Sequence, residues 1–249
     1  MSRTQDESTR RGRDLLRAGW ERLREVQSDQ QRGLPVPEPQ KPCPPAAERI
    51  SLRPFADVPT AAITVTEALS RRRSRRRYAS TPLTLDELSY LLYASGGLHQ
   101  TRGVSTLRSA PSAGARHAIE TYVAAYRVAG LESAVWRYLP MDHALCQVSA
   151  PVDLEERATE ALHGQGWGCA AAFVWTALPY RMEWRYSVIS PKLILLDAGH
   201  VCQNLYIACE SVGCGTCAIG AYDQKLLDAL LGVDGEDELA VYAATVGKV

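Results

Sequence analysis

Between Pro191 and Gly213 the sequence runs PKLILLDAGHVCQNLYIACESVG, its longest apolar stretch. The length would suit a membrane span, but Asp197, His200, Gln203, Asn204 and Glu210 interrupt it. That is too polar for hydrocarbon and suits a helix buried in protein. Ser190 is read as its N-cap, Pro191 as its first residue and Gly213 as its stop. A helix of this kind needs a broad apolar surface to run beneath, and the flanking segments supply a sheet.

ETYVAAYRV and AVWRYLP carry β-branched and aromatic residues and read as neighbouring antiparallel strands. CAAAFVWTA reads as a buried strand, GTCAIGAY as a short strand and LAVYAATVG as a closing one. Helices lie between them. TLDELSYLLYASGG has Thr84 and Glu87 at capping-box spacing and ends in two glycines. DLEERATEALHG starts at Asp153 with Glu156, and DQKLLDALLG starts at the cap Asp223. The pattern is α+β, a mostly antiparallel central sheet flanked by helices. Upstream, RDLLRAGWERLREVQ spaces Leu15, Leu16, Trp20, Leu23 and Val26 as one amphipathic helix. GLPVPEPQKPCPPAAERISLRP follows as an extended, proline-rich tether lying along a surface. These divide the chain into an N-terminal arm, 1–60, and a domain, 61–249.

Acidic and basic residues balance at 28 each, so the net positive charge usual in nucleic-acid and membrane binders is missing. MSRTQDESTRRGRD has no apolar core of a secretory signal. The seven cysteines are odd in number, scattered and mostly within apolar segments. Reduced, buried thiols in a cytoplasmic protein are the expectation. The histidines at 99, 117, 143, 163 and 200 lack metal-ligand spacing, and His200 reads as a core residue. Cys209, Cys214 and Cys217 have the spacing of an iron–sulfur loop but no fourth cysteine after them. No metal site is expected. GLHQTRG reads as a loop at the mouth of a site.

Three stretches can carry chemistry. RRRSRRRY, Arg71–Tyr78, puts six arginines into eight residues. It fits a solvated surface, a localisation or nucleic-acid patch, or a phosphate socket in which the guanidinium fork matches phosphate oxygens. PSAG, Pro111–Gly114, is a turn that exposes backbone N–H groups to something flat. CGTCAIGAYD places small residues around Ile219 at the end of a buried strand.

In combination the motifs are specific. Arg72-Arg73-Ser74-x-Arg76-x-Tyr78, then Pro111-Ser112-Ala113-Gly114, then Ala198-Gly199-His200-x-x-Gln203-Asn204-Leu205, then Gly215-Thr216-Cys217-Ala218-Ile219-Gly220-Ala221-Tyr222-Asp223 occur in that order. The order resembles the FMN-dependent nitroreductase superfamily, most closely its SagB-like branch, which includes oxidases that turn peptide azolines into azoles. The resemblance covers roughly 63–249 and implies a nitroreductase-like fold in an interlocked homodimer with FMN at the interface. It implies that Arg72, Arg73, Ser74 and Arg76 hold the phosphate and ribityl chain. Pro111, Ser112, Ala113 and Gly114 reach the flavin from the partner subunit. Ala218, Ile219, Gly220 and Ala221 line the ring with the Gly220 N–H near N5, and Gln165 touches the ring edge. Members often carry a C-terminal basic arm; here Lys248 in VGKV, or the surplus arginines, take that place.

Around YRMEWRYSV the azoline-oxidising members resemble this chain but carry Lys-Tyr where it has Arg185-Tyr186. Azoline oxidation needs a base, and a guanidinium is not deprotonated in proteins. Arg185 is expected to orient an anionic substrate or stabilise developing charge, with Tyr186 as a proton relay. The resemblance therefore implies hydride transfer between flavin and an organic substrate, such as a peptide-derived heterocycle. The alternative is reduction of nitro, quinone or similar compounds by NADH or NADPH. A reading of another class is a non-catalytic basic-patch binding protein, which the balanced charge disfavours.

Overall fold

The computed structural model describes residues 7–249. The first six, on which part of the signal-sequence reading rests, lie outside the described residues. In chain order the helices are α1 (Glu7–Gly12), α2 (Trp20–Arg24), α3 (Val65–Arg71), α4 (Leu85–Gly96), α5 (Leu154–Ala161), α6 (Pro179–Tyr186), α7 (Ser190–Ser211) and α8 (Gln224–Leu231). The strands are β1 (Arg49–Ser51), β2 (Leu83–Thr84), β3 (Leu98–Arg102), β4 (Ser105–Arg108), β5 (Ile119–Ala125), β6 (Val128–Ala129), β7 (Ala134–Leu139), β8 (Ala144–Ser149), β9 (Ala171–Ala177), β10 (Cys214–Ile219) and β11 (Leu239–Lys248).

Seven strands form one sheet in the order β1-β8-β7-β5-β9-β11-β10, with antiparallel pairing throughout. Strand period 2 divides its side chains between two cores. Val123, Phe173 and Trp175 face α4 and α7, where they meet Leu88, Leu91, Ile194, Ala198 and Leu205. Tyr122, Ala124, Ala172 and Val174 face α5 and α8, where they meet Leu154, Ala158, Leu227 and Leu230. Both faces are covered, which is why β9 reads as a nearly unbroken apolar run. Each fully buried Leu or Phe contributes roughly 1.5–3 kcal/mol.

Helix ends follow local chemistry. Thr64 with Glu67 and Thr84 with Glu87 close reciprocal capping boxes at α3 and α4, and the Asp223 carboxylate accepts the Leu226 amide at α8. Asp153 occupies the N-cap of α5 but makes no side-chain cap bond. Ser190 does not cap α7. It is the first helical residue, following a 3-10 turn at Ser187–Ile189, and its buried hydroxyl lacks a partner. The helix stops as expected before Gly213, which has φ +61°. α7 is buried on one side only: Leu195, Leu196 and His200 are exposed, so His200 is no core residue.

Other expectations are also corrected. The N-terminal amphipathic helix is broken, because Gly19 turns the chain at φ +65° between a 3-10 turn at Arg13–Leu16 and α2. GLHQTRG is no loop. It begins the hairpin β3–β4. The proline-rich segment lies extended along the domain surface, as expected, and is firmly held. Arg108 donates to the Pro39 carbonyl, and Arg137 to those of Lys41 and Pro42 at 2.7 Å each. Lys41 pairs with Glu238 at 2.6 Å. Beyond it, β1 adds an edge strand to the main sheet.

Cys43 and Cys146 form a disulfide, against the expectation that all the cysteines are reduced. The arm runs beside β8, where the Gln147 amide donates to the Glu48 carbonyl, and that alignment brings together thiols 103 residues apart. The other five are free and buried. Among the described residues no helix is long and apolar enough to cross a membrane.

Candidate active site

The arginine run lies along the free edge of β10. After α3 the chain forms a parallel bridge from Ser74 to Thr216, and the Arg75 amide donates to the Thr216 carbonyl at 2.9 Å. The Arg75 side chain covers Gly215, where a Cβ would fall 2.6 Å from Arg75 Cγ, so a larger residue would push the run off the strand. Arg72 lies over the Tyr206 ring at 5.4 Å and Arg76 over the Trp167 ring at 5.7 Å. Among the described residues neither is ion-paired, and stacking leaves the edge of each fork open to an anion. Arg73 turns back instead, donating to the Ser70 and Arg72 carbonyls at the end of α3.

Tyr206 links this run to β10. Its hydroxyl accepts the Ala218 amide at 2.8 Å and bonds the Ser74 hydroxyl at 3.0 Å. Beyond Ala218, the Ile219 side chain is buried among α5 and α8, so only its backbone can meet a ligand. Gly220 and Ala221 are exposed, and a Cβ at Gly220 would meet nothing within 4 Å. Gln165 holds this segment by donating to the Ala221 carbonyl at 2.8 Å. Lys248 stands apart. Its ammonium bonds Glu87 and the Val212 carbonyl at 2.7 and 2.8 Å.

A second cluster forms around Pro111–Gly114. The Ala113 amide donates to Asp197 Oδ1 at 3.2 Å, and Ser112 Oγ accepts the His117 amide at 2.8 Å. Asp197 is buried, its Oδ2 has no partner, and burial raises its pKa against the opposing pull of Ser112 and the Ala113 amide. Gly114 has φ +57°, and a Cβ there would stand 2.6 Å from Tyr186 Oη and 3.2 Å from Arg185 Cδ. Only glycine fits both the backbone and this approach. The fold therefore brings the PSAG turn onto Arg185 and Tyr186. A cavity of about 30 Å³, room for about one water, opens beside Pro111, Ser112, His117 and Asp197.

The N-terminal arm packs behind α6. Trp20 meets Tyr186 edge-on at 6.0 Å, and the Trp184 indole donates to the Leu34 carbonyl at 3.0 Å. From below, Arg181 pairs with Glu120 at 2.7 Å. Trp20, Arg116, Trp167, Asp197 and Tyr206 are the residues at these two clusters that the sequence reading passed over. Aromatic residues on an apolar pattern signal only packing, and nothing local marks their contacts. The clusters are separate within one chain. Asp197 and Tyr206 are nine residues apart on α7, about 13 Å along its axis.

The nitroreductase family model matches residues 69–248. The nitroreductase-family protein MJ1384 of Methanocaldococcus jannaschii is 35% identical over 170 residues, 68% of this chain and 84% of that one. The trifolitoxin-processing protein TfxB of Rhizobium leguminosarum bv. trifolii is 28% identical over 177 residues, covering 67% of this chain. The match spans only about half of TfxB, 48% of its length. A crystal structure named as a nitroreductase from Ralstonia eutropha JMP134 superposes with a TM-score of 0.67 at 26% identity, covering 84% of this chain and 94% of that one.

Proposed function

Because this chain belongs to the nitroreductase family, we propose that it is an FMN-dependent oxidoreductase acting on a small or peptide-derived substrate. The observation that carries this reading is the alignment of the arginine run with β10 through Ser74, Tyr206 and Ala218. It sets unpaired guanidinium groups beside a strand end made of small residues, with open space at Gly220. That donor set fits a phosphate with a flat ring attached. Arg72, Ser74 and Arg76 would hold the phosphate, and Ala218, Gly220, Ala221 and the Ile219 backbone would line the ring. FMN, when bound, supplies a hydride acceptor and donor at its N5.

A second copy of the chain would complete the site. Asp197, which holds the PSAG turn through the Ala113 amide, lies about 13 Å along α7 from Tyr206, and in this reading the turn of one protomer would meet the ring held by the arginine run of its partner. The exposed Leu195 and Leu196 on that helix give a homodimer an apolar seam. Tyr186 would relay a proton, while Arg185, permanently charged, would orient substrate or stabilise negative charge.

The likeness to TfxB, named for trifolitoxin processing, supports the SagB-like dehydrogenase reading. Arg185 at the place of a base favours the second reading, in which NADH or NADPH supplies the hydride that reduces a nitro, quinone or similar compound. The Arg72→Ala/Arg76→Ala variant tests the cofactor. It should purify folded but without flavin, and a stoichiometric yellow variant would refute this use of the run.

A further inference from the structure

Around Gly114 two guanidinium groups converge without an acid to neutralise them. Arg116 is 8% exposed and fixed on three sides. Its Nε donates to the Gly114 carbonyl at 3.1 Å, its Nη2 to the Ser105 hydroxyl at 3.0 Å, and the Trp184 ring lies 5.1 Å beneath its Cζ. Arg185 comes from α6 on the other side of the same glycine and lies over the Tyr186 ring at 5.5 Å. Among the described residues neither arginine is ion-paired. The neighbouring buried arginines differ: Arg137 and Arg181 reach Glu120 at 3.5 and 2.7 Å. Asp197, the acid at this turn, takes the Ala113 amide and pairs with neither. A cation this buried and this rigidly held is a preorganised receptor for negative charge. Beside it, the half-exposed Trp20 and the Tyr186 ring form an aromatic wall.

We infer that Arg116 and Arg185 bind a carboxylate on a flat, ring-bearing substrate and set it beside the Tyr186 hydroxyl. Arg116 has its Nε and Nη2 engaged, which leaves Nη1, and Arg185 offers an open fork. The Nη1 of Arg116 together with the open fork of Arg185 suits the two oxygens of a carboxylate, while the ring of the same molecule covers the aromatic wall. As a statement about substrate this rests on the oxidoreductase reading; as a statement about binding it does not.

The test uses benzoate and benzamide, which share a shape and differ in charge, titrated calorimetrically into the full chain as purified. Benzoate should bind roughly tenfold or more tightly than benzamide, and Arg185→Gln should remove that preference. Arg185 is exposed, so this variant is expected to fold. Arg116→Gln, checked for fold by circular dichroism, should do the same. Arg157→Gln, at an exposed position on α5 that belongs to neither cluster, should leave benzoate binding intact. The inference is overturned by undetectable benzoate binding, by equal binding of the two probes, or by an Arg185→Gln variant that keeps the preference. It is also overturned by loss of benzoate binding on changing Arg157, or by inorganic phosphate that displaces benzoate at lower concentration. A colourless protein that still selects benzoate through Arg185 would sink the flavin proposal and leave this site standing. A yellow protein without the preference would do the reverse.

Discussion

Tyr206 and Ser74 are hydrogen-bonded through their hydroxyls at 3.0 Å, across 132 residues of sequence. Because Tyr206 also accepts the Ala218 amide, one phenol fixes the arginine run against the strand end. Removing that oxygen should loosen the cofactor site and spare the core, since the ring stays packed. Tyr206→Phe is expected to weaken FMN binding by roughly three- to tenfold, the worth of about one hydrogen bond, with little change in melting temperature. Fluorescence titration of the apoprotein with FMN measures it.

Glu120 is the only acid within ion-pair reach of both Arg137 and Arg181 among the described residues, and all three are nearly inaccessible. It also accepts the Lys41 amide of the arm at 3.1 Å. Glu120→Gln leaves two buried cations uncompensated, so a loss of about 3–5 kcal/mol in urea unfolding is expected. Because Arg181 anchors α6, the site at Arg185 and Tyr186 should also lose order.

His117 is buried, and its Nε2–H donates to the Thr106 carbonyl at 2.8 Å. Burial, reinforced by Arg108, Arg116 and Arg181, brings its pKa from 6.5 to about 4. The folded state thus resists a proton that the unfolded chain accepts. The stability conferred by the neutral imidazole is fully present above pH 6.5 and is lost progressively as pH falls from 6.5 to about 4. The loss amounts to about 3 kcal/mol. His143 is shifted in the same direction by burial and will add its own slope. His117→Asn should flatten its share of the decline when unfolding is followed at several pH values between 4 and 7.

The disulfide makes a countable prediction. In denaturant without reductant, five thiols should react, and seven after reduction. Cys43→Ser should cost about 2–4 kcal/mol, because the bond closes a long loop in the unfolded chain.

Local signals carried much of the fold. The Thr84–Glu87 capping box, the φ-positive stop at Gly213 and the buried apolar run of β9 are written within a few residues each. What was not legible depends on long-range meetings. Cys43 and Cys146 pair only because the arm runs beside β8, and Lys248 goes to Glu87 rather than to the arginine run. The hairpin in GLHQTRG was missed because its pairing uses exposed polar residues, which leave no alternation to read. At the site, the motif residues were visible as motifs. Their partners Tyr206, Arg116 and Trp20 were not, since a residue's role there is set by what the fold places against it.

The most direct measurement is the visible spectrum of the freshly purified protein, followed by addition of NADH or NADPH without oxygen. The account predicts an oxidised-flavin spectrum at one FMN per chain. Bleaching of its long-wavelength band by either nucleotide would select the reductase reading, and a band that neither bleaches would select a dehydrogenase reduced by its own substrate. A colourless protein that takes up no added FMN would contradict the account.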